Sequence, residues 1–200
     1  MAMNKNLIKA GYDSVAAGYL RDRNSLRTGK YLNKFIQLLP AQSHILDLGC
    51  GAGIPIAFTL IKKGHLVSGI DISDRQIALA RKNCPRGDFQ VKDISTLKAK
   101  EYNVDAVVSF YTIFHLPRTQ HLDLLKKINS FLPKGGLIMI TMGDCDFEGI
   151  HDFYGVKMWS SQYGPKKNRE MLEQAGFEIL LDEIDRSAKE KHQILMARKK

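Results

Sequence analysis

The chain has 200 residues, of which 44% are hydrophobic, and it carries a formal net charge of +9 at pH 7. This length and apolar content suffice for one compact domain with a sizeable core, and no Pro/Ser/Gly-rich linker divides the sequence. No apolar run approaches the ~18 residues of a membrane span, and residues 1–6 lack a signal-peptide core. The cysteines form no CxxC pair, which argues against disulfide-rich and zinc-ribbon proteins. We expect one cytoplasmic domain over residues 1–200, with a helical cap at 1–40 and a core at 41–200.

The basic charge is compatible with an anionic partner such as nucleic acid. However, the lysine pairs are scattered over predicted helix ends and solvent faces, where cations complement the helix dipole or promote solubility. The sequence also lacks the interleaved aromatic and basic residues of RNA-recognition motifs. Nucleic-acid binding therefore stays open but is not favoured.

Apolar periodicity and breaker residues predict alternating helices and strands. Two helices are expected within residues 3–38, and Pro40 follows the second. Strands are expected at 44–48, 66–71, 88–92, 104–110, 136–142, 177–184 and 191–198, with helices at 54–63, 74–83, 118–131 and 166–175. Such alternation predicts parallel strands with helices on both faces of the sheet. Only residues 185–190 separate the last two strands, which suits an antiparallel hairpin.

A glycine-rich turn follows the first predicted strand. Residues 44–53 read His-Ile-Leu-Asp-Leu-Gly-Cys-Gly-Ala-Gly, an apolar strand that ends in three glycines at alternate positions. Exposed backbone amides in such a turn, before a helix, can bind a small polar ligand. Asp47 lies within the apolar run and therefore needs a partner. A tight turn without any ligand would show the same glycines.

Asp71 ends the second predicted strand, about 20 positions after the glycines, where nucleotide-binding βαβ units place a carboxylate on a ribose diol. The dinucleotide fingerprint needs a glycine three residues after Gly51, but that residue is Ile54. The turn also has no basic residue to meet a phosphate group. These features favour a ribosyl ligand and argue against a nicotinamide-dependent oxidoreductase.

Segments 47–53 (Asp-Leu-Gly-Cys-Gly-Ala-Gly) and 69–73 (Gly-Ile-Asp-Ile-Ser) resemble the first two motifs of the class I S-adenosylmethionine (SAM)-dependent methyltransferases. The resemblance implies an α/β, Rossmann-like sheet of seven mostly parallel strands, in the order 3-2-1-4-5-7-6, with strand 7 antiparallel. It implies SAM as cofactor and S-adenosylhomocysteine (SAH) as product. The cofactor-binding residues that it implies at these motifs are Asp47, Gly49, Gly51, Gly53, Asp71 and Ile72. Asp71 would hold the ribose, the glycines would admit the methionyl part, and Asp47 would meet its amino-acid end.

Further cofactor contacts follow from the resemblance at the third and fourth strands. Asp93 and Ile94 match the pair whose side chain and backbone amide hold the adenine. Asp93 has an alternative interpretation, as the N-cap of a short turn at residues 95–96. Ser109 and Phe110, at the end of the fourth strand, match residues that touch the cofactor.

Tyr12 and Tyr19 lie in a pattern, Y-x-x-x-A-x-x-Y, that small-molecule methyltransferases of this family often carry before the core. The resemblance implies that these tyrosines close over the methionyl end of the cofactor. The alternative is that they form the buried face of an amphipathic helix.

His115 is the candidate general base, because its unperturbed pKa is about 6.5 and it lies just past the fourth strand, where ligands gather. The alternative is that it merely packs before the next helix. Tyr111, His151, Tyr154 and Trp159 are predicted to line the substrate pocket.

The predicted function is transfer of a methyl group by in-line SN2 displacement from SAM to an oxygen or nitrogen atom of a small molecule. The end of the fourth strand lacks the [D/N/S]-P-P-[Y/F] motif of enzymes that methylate planar amino groups. Asp144 and Asp146 are only two loop carboxylates, and hard-cation sites usually need more oxygen ligands, so we expect no metal. We expect a monomer or a homodimer, and we expect no membrane partner. The alternatives are a methyltransferase acting on RNA or protein and a non-catalytic SAM-binding protein.

Overall fold

The computed structural model describes the backbone of residues 2–23, 29–186 and 191–200, and the side chains of residues 5–15, 29–186 and 191–200. The helices are α1 (Ala2–Arg23), α2 (Gly29–Leu38), α3 (Ile56–Lys62), α4 (Asp74–Asn83), α5 (His121–Phe131) and α6 (Pro165–Gln174). The strands are β1 (His44–Leu48), β2 (Leu66–Asp71), β3 (Asp88–Val91), β4 (Ala106–Ser109), β5 (Leu137–Gly143), β6 (Phe147–Phe153), β7 (Val156–Gln162), β8 (Phe177–Asp185) and β9 (His192–Lys199).

Seven strands of the described part of the chain form one sheet, in the order β3-β2-β1-β4-β5-β9-β8. Strands β1 to β5 pair in parallel, whereas β9 runs antiparallel to both of its neighbours, β5 and β8. With β8 and β9 as the sixth and seventh strands, this is the predicted order, and the predicted Rossmann-like fold is confirmed.

The central strands are buried on both faces, as parallel strands covered by helices must be. Alternate residues of β1 enter different apolar cores, because successive side chains of a strand point to opposite faces. Ile45 packs in the core with α2, α3 and α4, whereas Leu46 packs in the core with α5 and α6. This layering leaves the loops at the carboxyl ends of β1 to β4 to form a site, as in other open α/β sheets.

Strands β6 and β7 form a separate antiparallel hairpin that the sequence does not predict. Its turn contains Tyr154 and Gly155, with φ angles of 51° and 80°. Positive φ at both central residues is typical of the tight turns that connect hairpin strands. The segment between β5 and α6, predicted to contain pocket residues but no strand, is therefore regular β-structure.

Helix α1 lies across the carboxyl ends of β2 and β3. Its Lys5 forms an ion pair with Asp93 at 2.7 Å, and its Lys9 donates to the carbonyl of Ile72 at 3.3 Å. On its other side α1 packs against β7, where Gly11 lies so close to Met158 that a Cβ at residue 11 would be 2.8 Å from its Cε. Within the described residues, no helix combines the length and apolar character needed to cross a membrane.

Candidate functional site

A cavity of about 440 Å³ lies at the carboxyl ends of β1 to β4, beneath α1 and β7. It brings together most of the predicted site residues, from six separate parts of the chain. The predicted residues that line it are Tyr12, Gly49, Gly51, Asp71, Ile72, Asp93, Ile94, Phe110, Tyr111, His115 and Trp159.

The three glycines of the turn after β1 all have positive φ angles, 73°, 53° and 78° for Gly49, Gly51 and Gly53. Two of them make room for protein groups. A Cβ at Gly49 would lie 1.9 Å from the Oγ1 of Thr112, and a Cβ at Gly53 would lie 3.0 Å from the Sγ of Cys84. At Gly51, which lines the cavity, a Cβ would have only the Oε1 of Gln76 nearby, at 3.7 Å.

The backbone amides of this turn bind protein groups. The amides of residues 49 and 50 donate to the carbonyl of Ile70, at 2.8 and 3.0 Å, and the amide of Gly51 donates to the Asp71 carboxylate at 2.9 Å. The sequence predicts amides that are available to a polar ligand, and at these three positions the structure corrects that prediction. An amide cradle for phosphate therefore does not form at residues 49–51, which agrees with the glycine spacing.

Asp71 is the carboxylate at the end of β2. Its Oδ2 accepts the Gly51 amide, and its Oδ1 accepts the amide of Ser73 at 2.9 Å. Burial raises the pKa of Asp71, and the backbone hydrogen bonds offset part of that effect. A carboxylate has about four lone-pair positions, so two remain for donors from the cavity. Two adjacent ribose hydroxyls match this capacity.

Asp47 and Gln76 are buried polar residues with unsatisfied atoms beside the turn. Asp47 is 2% exposed and Gln76 is 1% exposed. Within the described residues, neither the Oδ2 of Asp47 nor the Nε2 of Gln76 has a hydrogen-bond partner. Burial, with a smaller effect of the nearby Asp71, raises the pKa of Asp47 to about 8. Both residues line a small pocket that shares Gly49, Gly51 and Phe110 with the cavity. Since buried polar atoms are normally paired, this pocket fits the polar amino-acid end of a cofactor.

Asp93 is an N-cap, one of the two interpretations that the sequence left open, and it also lies at the cavity wall. Its Oδ1 accepts the amide of Ser95 at 2.8 Å and so caps a short 3-10 turn at Ile94–Thr96. Its Oδ2 faces the ammonium of Lys5, which also donates to the hydroxyl of Ser95. Burial alone would raise the pKa of Asp93, but Lys5 and Ser95 outweigh it and the pKa is lowered. Asp93 is therefore an ionised acceptor at the cavity wall.

His115 lies between Trp159 and Tyr12. Its Nδ1 is 2.9 Å from the carbonyl oxygen of Trp159, and its Nε2 is 2.8 Å from the hydroxyl of Tyr12. Burial lowers the pKa of His115 to about 4, so the ring is neutral at pH 7. Because a carbonyl can only accept, Nδ1 carries the ring proton, and Nε2 accepts a hydrogen bond from Tyr12.

Some predicted site residues lie elsewhere. Ser109 is fully buried and donates its hydroxyl to the carbonyl of Leu48 at 3.0 Å, outside the cavity lining. On the hairpin, His151 bonds to a serine hydroxyl of β7 at 2.9 Å, and Tyr154 is 50% exposed at the turn. Neither lines the cavity. The side chain of Tyr19 falls outside the described residues.

Other lining residues were not predicted from the sequence: Lys5, Ile8, Gln76, Lys92, Ser95, Thr112, Leu116, Pro117 and Gln120. A helical period does contain part of this information, because residues 5, 8 and 12 share one face of a helix that includes Tyr12. Thr112, Leu116 and Pro117 follow Phe110 in the loop after β4, so proximity to the predicted strand end was their only signal.

The described residues contain no group of three or more His, Cys, Asp or Glu side chains that could hold a metal ion. Asp146, one of the two loop carboxylates, accepts the amide of Gly164 at 3.0 Å. This aspartate therefore has a local structural role between β5 and α6.

Comparisons with known proteins agree with this geometry. Residues 45–136 match a family model described as a methyltransferase domain. The carboxy-S-adenosyl-L-methionine synthase of Campylobacter curvus is 29% identical over 160 residues, which cover 73% of this chain and 68% of that protein. A ubiquinone biosynthesis O-methyltransferase of Coxiella burnetii is 26% identical over 123 residues. These residues are 60% of this chain and 50% of that protein, so the chain spans about half the length of this relative.

A solved structure shows the same fold. Magnesium protoporphyrin IX methyltransferase from Synechocystis PCC 6803, with bound SAH, superposes with a TM-score of 0.76 over 98% of this chain and 100% of that one, at 16% identity. The region matched by the family model contains the glycine turn, Asp71 and Asp93. In its motifs, its sheet order and these comparisons, the chain is similar to the class I SAM-dependent methyltransferases.

Proposed function

We propose that the protein transfers a methyl group from SAM to an oxygen or nitrogen atom of a small molecule. The observation that carries this proposal is that one cavity contains both carboxylates suited to a cofactor and a histidine suited to proton transfer. The carboxylates of Asp71 and Asp93 line it together with the neutral imidazole of His115. The name of the Coxiella relative, an O-methyltransferase of ubiquinone biosynthesis, supports a small-molecule acceptor.

The cofactor would lie along the ends of β1, β2 and β3. Asp71 would accept the ribose hydroxyls, and the Asp93 side chain and the Ile94 amide would hold the adenine. The methionyl part would pass over Gly51, with its ammonium group toward Asp47. When bound, SAM supplies a methyl group on a sulfonium, which is already activated for in-line displacement.

The protein's own residues would align the acceptor, exclude water and receive a proton. Phe110, Tyr111 and Trp159 provide apolar and aromatic walls, and α1 with β7 covers the cavity. His115 is the proton acceptor that we propose, since its neutral ring is available over the whole physiological pH range. A covered cavity of about 440 Å³ also favours a small acceptor over RNA or a folded protein.

A transfer assay with SAM labelled on its methyl group tests this function. A library of small hydroxyl and amino compounds would be screened beside bulk RNA and a protein extract. We expect label in at least one small compound, and less of it when His115 is replaced by Asn. Label in RNA or protein alone would contradict the proposal. Retained SAH binding without any transfer would favour a non-catalytic SAM-binding protein.

A further inference from the structure

We infer that the acceptor is an uncharged, largely apolar molecule with a hydroxyl group that keeps its proton until the reaction, and that Tyr12 is the residue that contacts this hydroxyl. The inference rests on the proposed methyl transfer and names the class of its substrate. Three features of the cavity carry it: the direction of a hydrogen-bond chain, the position of the charges, and the chemistry of the walls.

The hydrogen-bond chain has one direction. The Trp159 carbonyl accepts from Nδ1 of His115, so Nε2 accepts from Tyr12, whose single hydroxyl proton is used in that bond. Toward any further partner the Tyr12 oxygen can therefore only accept. A substrate that meets this oxygen must donate a hydrogen bond. A hydroxyl or a neutral N–H group satisfies that requirement, whereas an ether, a tertiary amine or a carboxylate does not. An aliphatic amine would carry a positive charge at pH 7, so the hydroxyl is the donor that suits uncharged walls.

Among the described residues, the cationic side chains that line the cavity lie at the end that would hold the adenine. Lys5 is paired with Asp93 at 2.7 Å, and Lys92 is paired with Glu101. Three strand spacings separate β3 from β4 in the sheet, which is about 14 Å. Lys5 is also seven residues from Tyr12 on α1, which is roughly 10 Å along the helix axis.

Around His115 the lining side chains that the structure describes are uncharged. They are Ile8, Tyr12, Phe110, Tyr111, Thr112, Leu116, Pro117, Gln120 and Trp159. A carboxylate or phosphate on the acceptor would lose its hydration there without gaining a counter-charge from any side chain that the structure describes. The walls instead offer apolar and aromatic surface, which suits a flat, neutral ring system.

The proton balance is consistent with a weak base. As the new bond from the acceptor oxygen to the methyl carbon forms, the bond from carbon to sulfur breaks and its electron pair stays on sulfur. The oxygen thereby becomes positively charged, and its proton passes to Tyr12 while the Tyr12 proton passes to Nε2 of His115. A methylated hydroxyl is a very strong acid, so even an imidazole with a low pKa receives its proton, which then leaves to water.

Three naphthalene probes of similar size test the inference by calorimetry on the protein saturated with SAH. They are 2-naphthol, 2-methoxynaphthalene and 2-naphthoate, which present a hydroxyl, an ether and a carboxylate on the same ring. We expect the naphthol to bind at least tenfold more tightly than the other two. The indole NMR resonance of Trp159, the single tryptophan of the chain, would report binding in the cavity.

In the protein saturated with SAH, the variant Tyr12→Phe should abolish the preference for naphthol over the methoxy compound. Tyr163→Phe is the matched control, because Tyr163 packs near Arg118 and His121 and does not line the cavity. That control should keep the preference. Nitrogen NMR of His115 should show an unprotonated Nε2 in the wild type.

Equal or tighter binding of the naphthoate, no binding of the naphthol, or an unchanged preference in Tyr12→Phe would overturn the inference. A protonated Nε2 on His115 at pH 7 would overturn it as well. Failure of the wild type to bind SAH would instead count against the proposed function, so the two claims fail by different measurements.

Discussion

Thr112, in the loop after β4, fills the space that a side chain at Gly49 would need, with its Oγ1 1.9 Å from the position of a Cβ at residue 49. Gly51, two residues later, has only the Oε1 of Gln76 near its Cβ position, at 3.7 Å. The same motif therefore contains one glycine that packing requires and one that faces the cavity. Alanine substitutions at these two positions should have different effects.

Gly49→Ala should lower the free energy of unfolding by about 2–4 kcal/mol, because backbone strain at positive φ adds to a steric overlap with Thr112. Gly51→Ala should lower it by only about 1–2 kcal/mol, since strain alone applies. Its SAH affinity should nevertheless fall at least tenfold. Urea unfolding measures the free energy of unfolding, and calorimetry measures the SAH affinity. Equal losses of stability, or full SAH affinity in Gly51→Ala, would count against this division of roles.

Asp47 should make SAH binding depend on pH. Its pKa is raised to about 8, so the carboxyl is mostly protonated at pH 7 and must ionise to pair with the ammonium of the ligand. SAH affinity should therefore rise up to tenfold per pH unit between pH 6 and 8, and binding should release a proton. Calorimetry in buffers of different ionisation enthalpy detects that proton. Asp47→Asn should remove the pH dependence of SAH binding. If SAH binds the wild type equally well across this pH range, Asp47 does not pair with the ammonium of the ligand.

His115 should make the free energy of unfolding depend on pH. Its pKa is lowered to about 4 in the folded protein, against about 6.5 when unfolded, so the unfolded chain binds more protons between these values. The resulting stability is present above pH 6.5 and is lost as the pH falls toward 4, by up to roughly 3 kcal/mol. The raised pKa of Asp47 acts in the opposite direction throughout this range. The quantity to compare is therefore the difference between variant and wild type.

Urea unfolding between pH 4 and 6.5 measures this coupling. Relative to wild type, His115→Asn should lose less stability as the pH falls. The control is His44→Asn, at the amino end of β1 away from the cavity, which should follow the wild type. Parallel curves for wild type and His115→Asn would show that His115 is not held neutral by the fold.

The alternation of apolar strands and helices predicts a mostly parallel sheet because that information is local, whereas the order of the strands is what the family resemblance of segments 47–53 and 69–73 implies. The sequence does not predict the hairpin of β6 and β7. Phe147 and Ile150 are exposed and Ser160 and Ser161 are buried, so the usual relation between hydrophobicity and burial fails there. The turn at Tyr154 also lacks the asparagine or aspartate that usually accompanies a glycine in such turns.

The cavity was predictable in part. Asp71 ends β2 and Asp93 follows β3, and the ends of parallel strands meet at one edge. The bonds from Tyr12 to His115 and from His115 to Trp159 join residues that are 103 and 44 positions apart. No pattern along the chain contains such contacts, because they depend on how α1 and β7 pack over the sheet. The use of the turn amides by Ile70 and Asp71 likewise appears only in three dimensions.

Calorimetry of SAH with the wild type and Asp71→Ala tests the central claim, that this cavity holds the methyl donor, most directly. We expect SAH to bind the wild type and NADH not to bind, and we expect Asp71→Ala to weaken SAH about a hundredfold, since two hydrogen bonds to a charged group are lost. Asp74→Ala, at the exposed start of α4, should keep full affinity. Binding of NADH in place of SAH, or full SAH affinity in Asp71→Ala, would contradict the account.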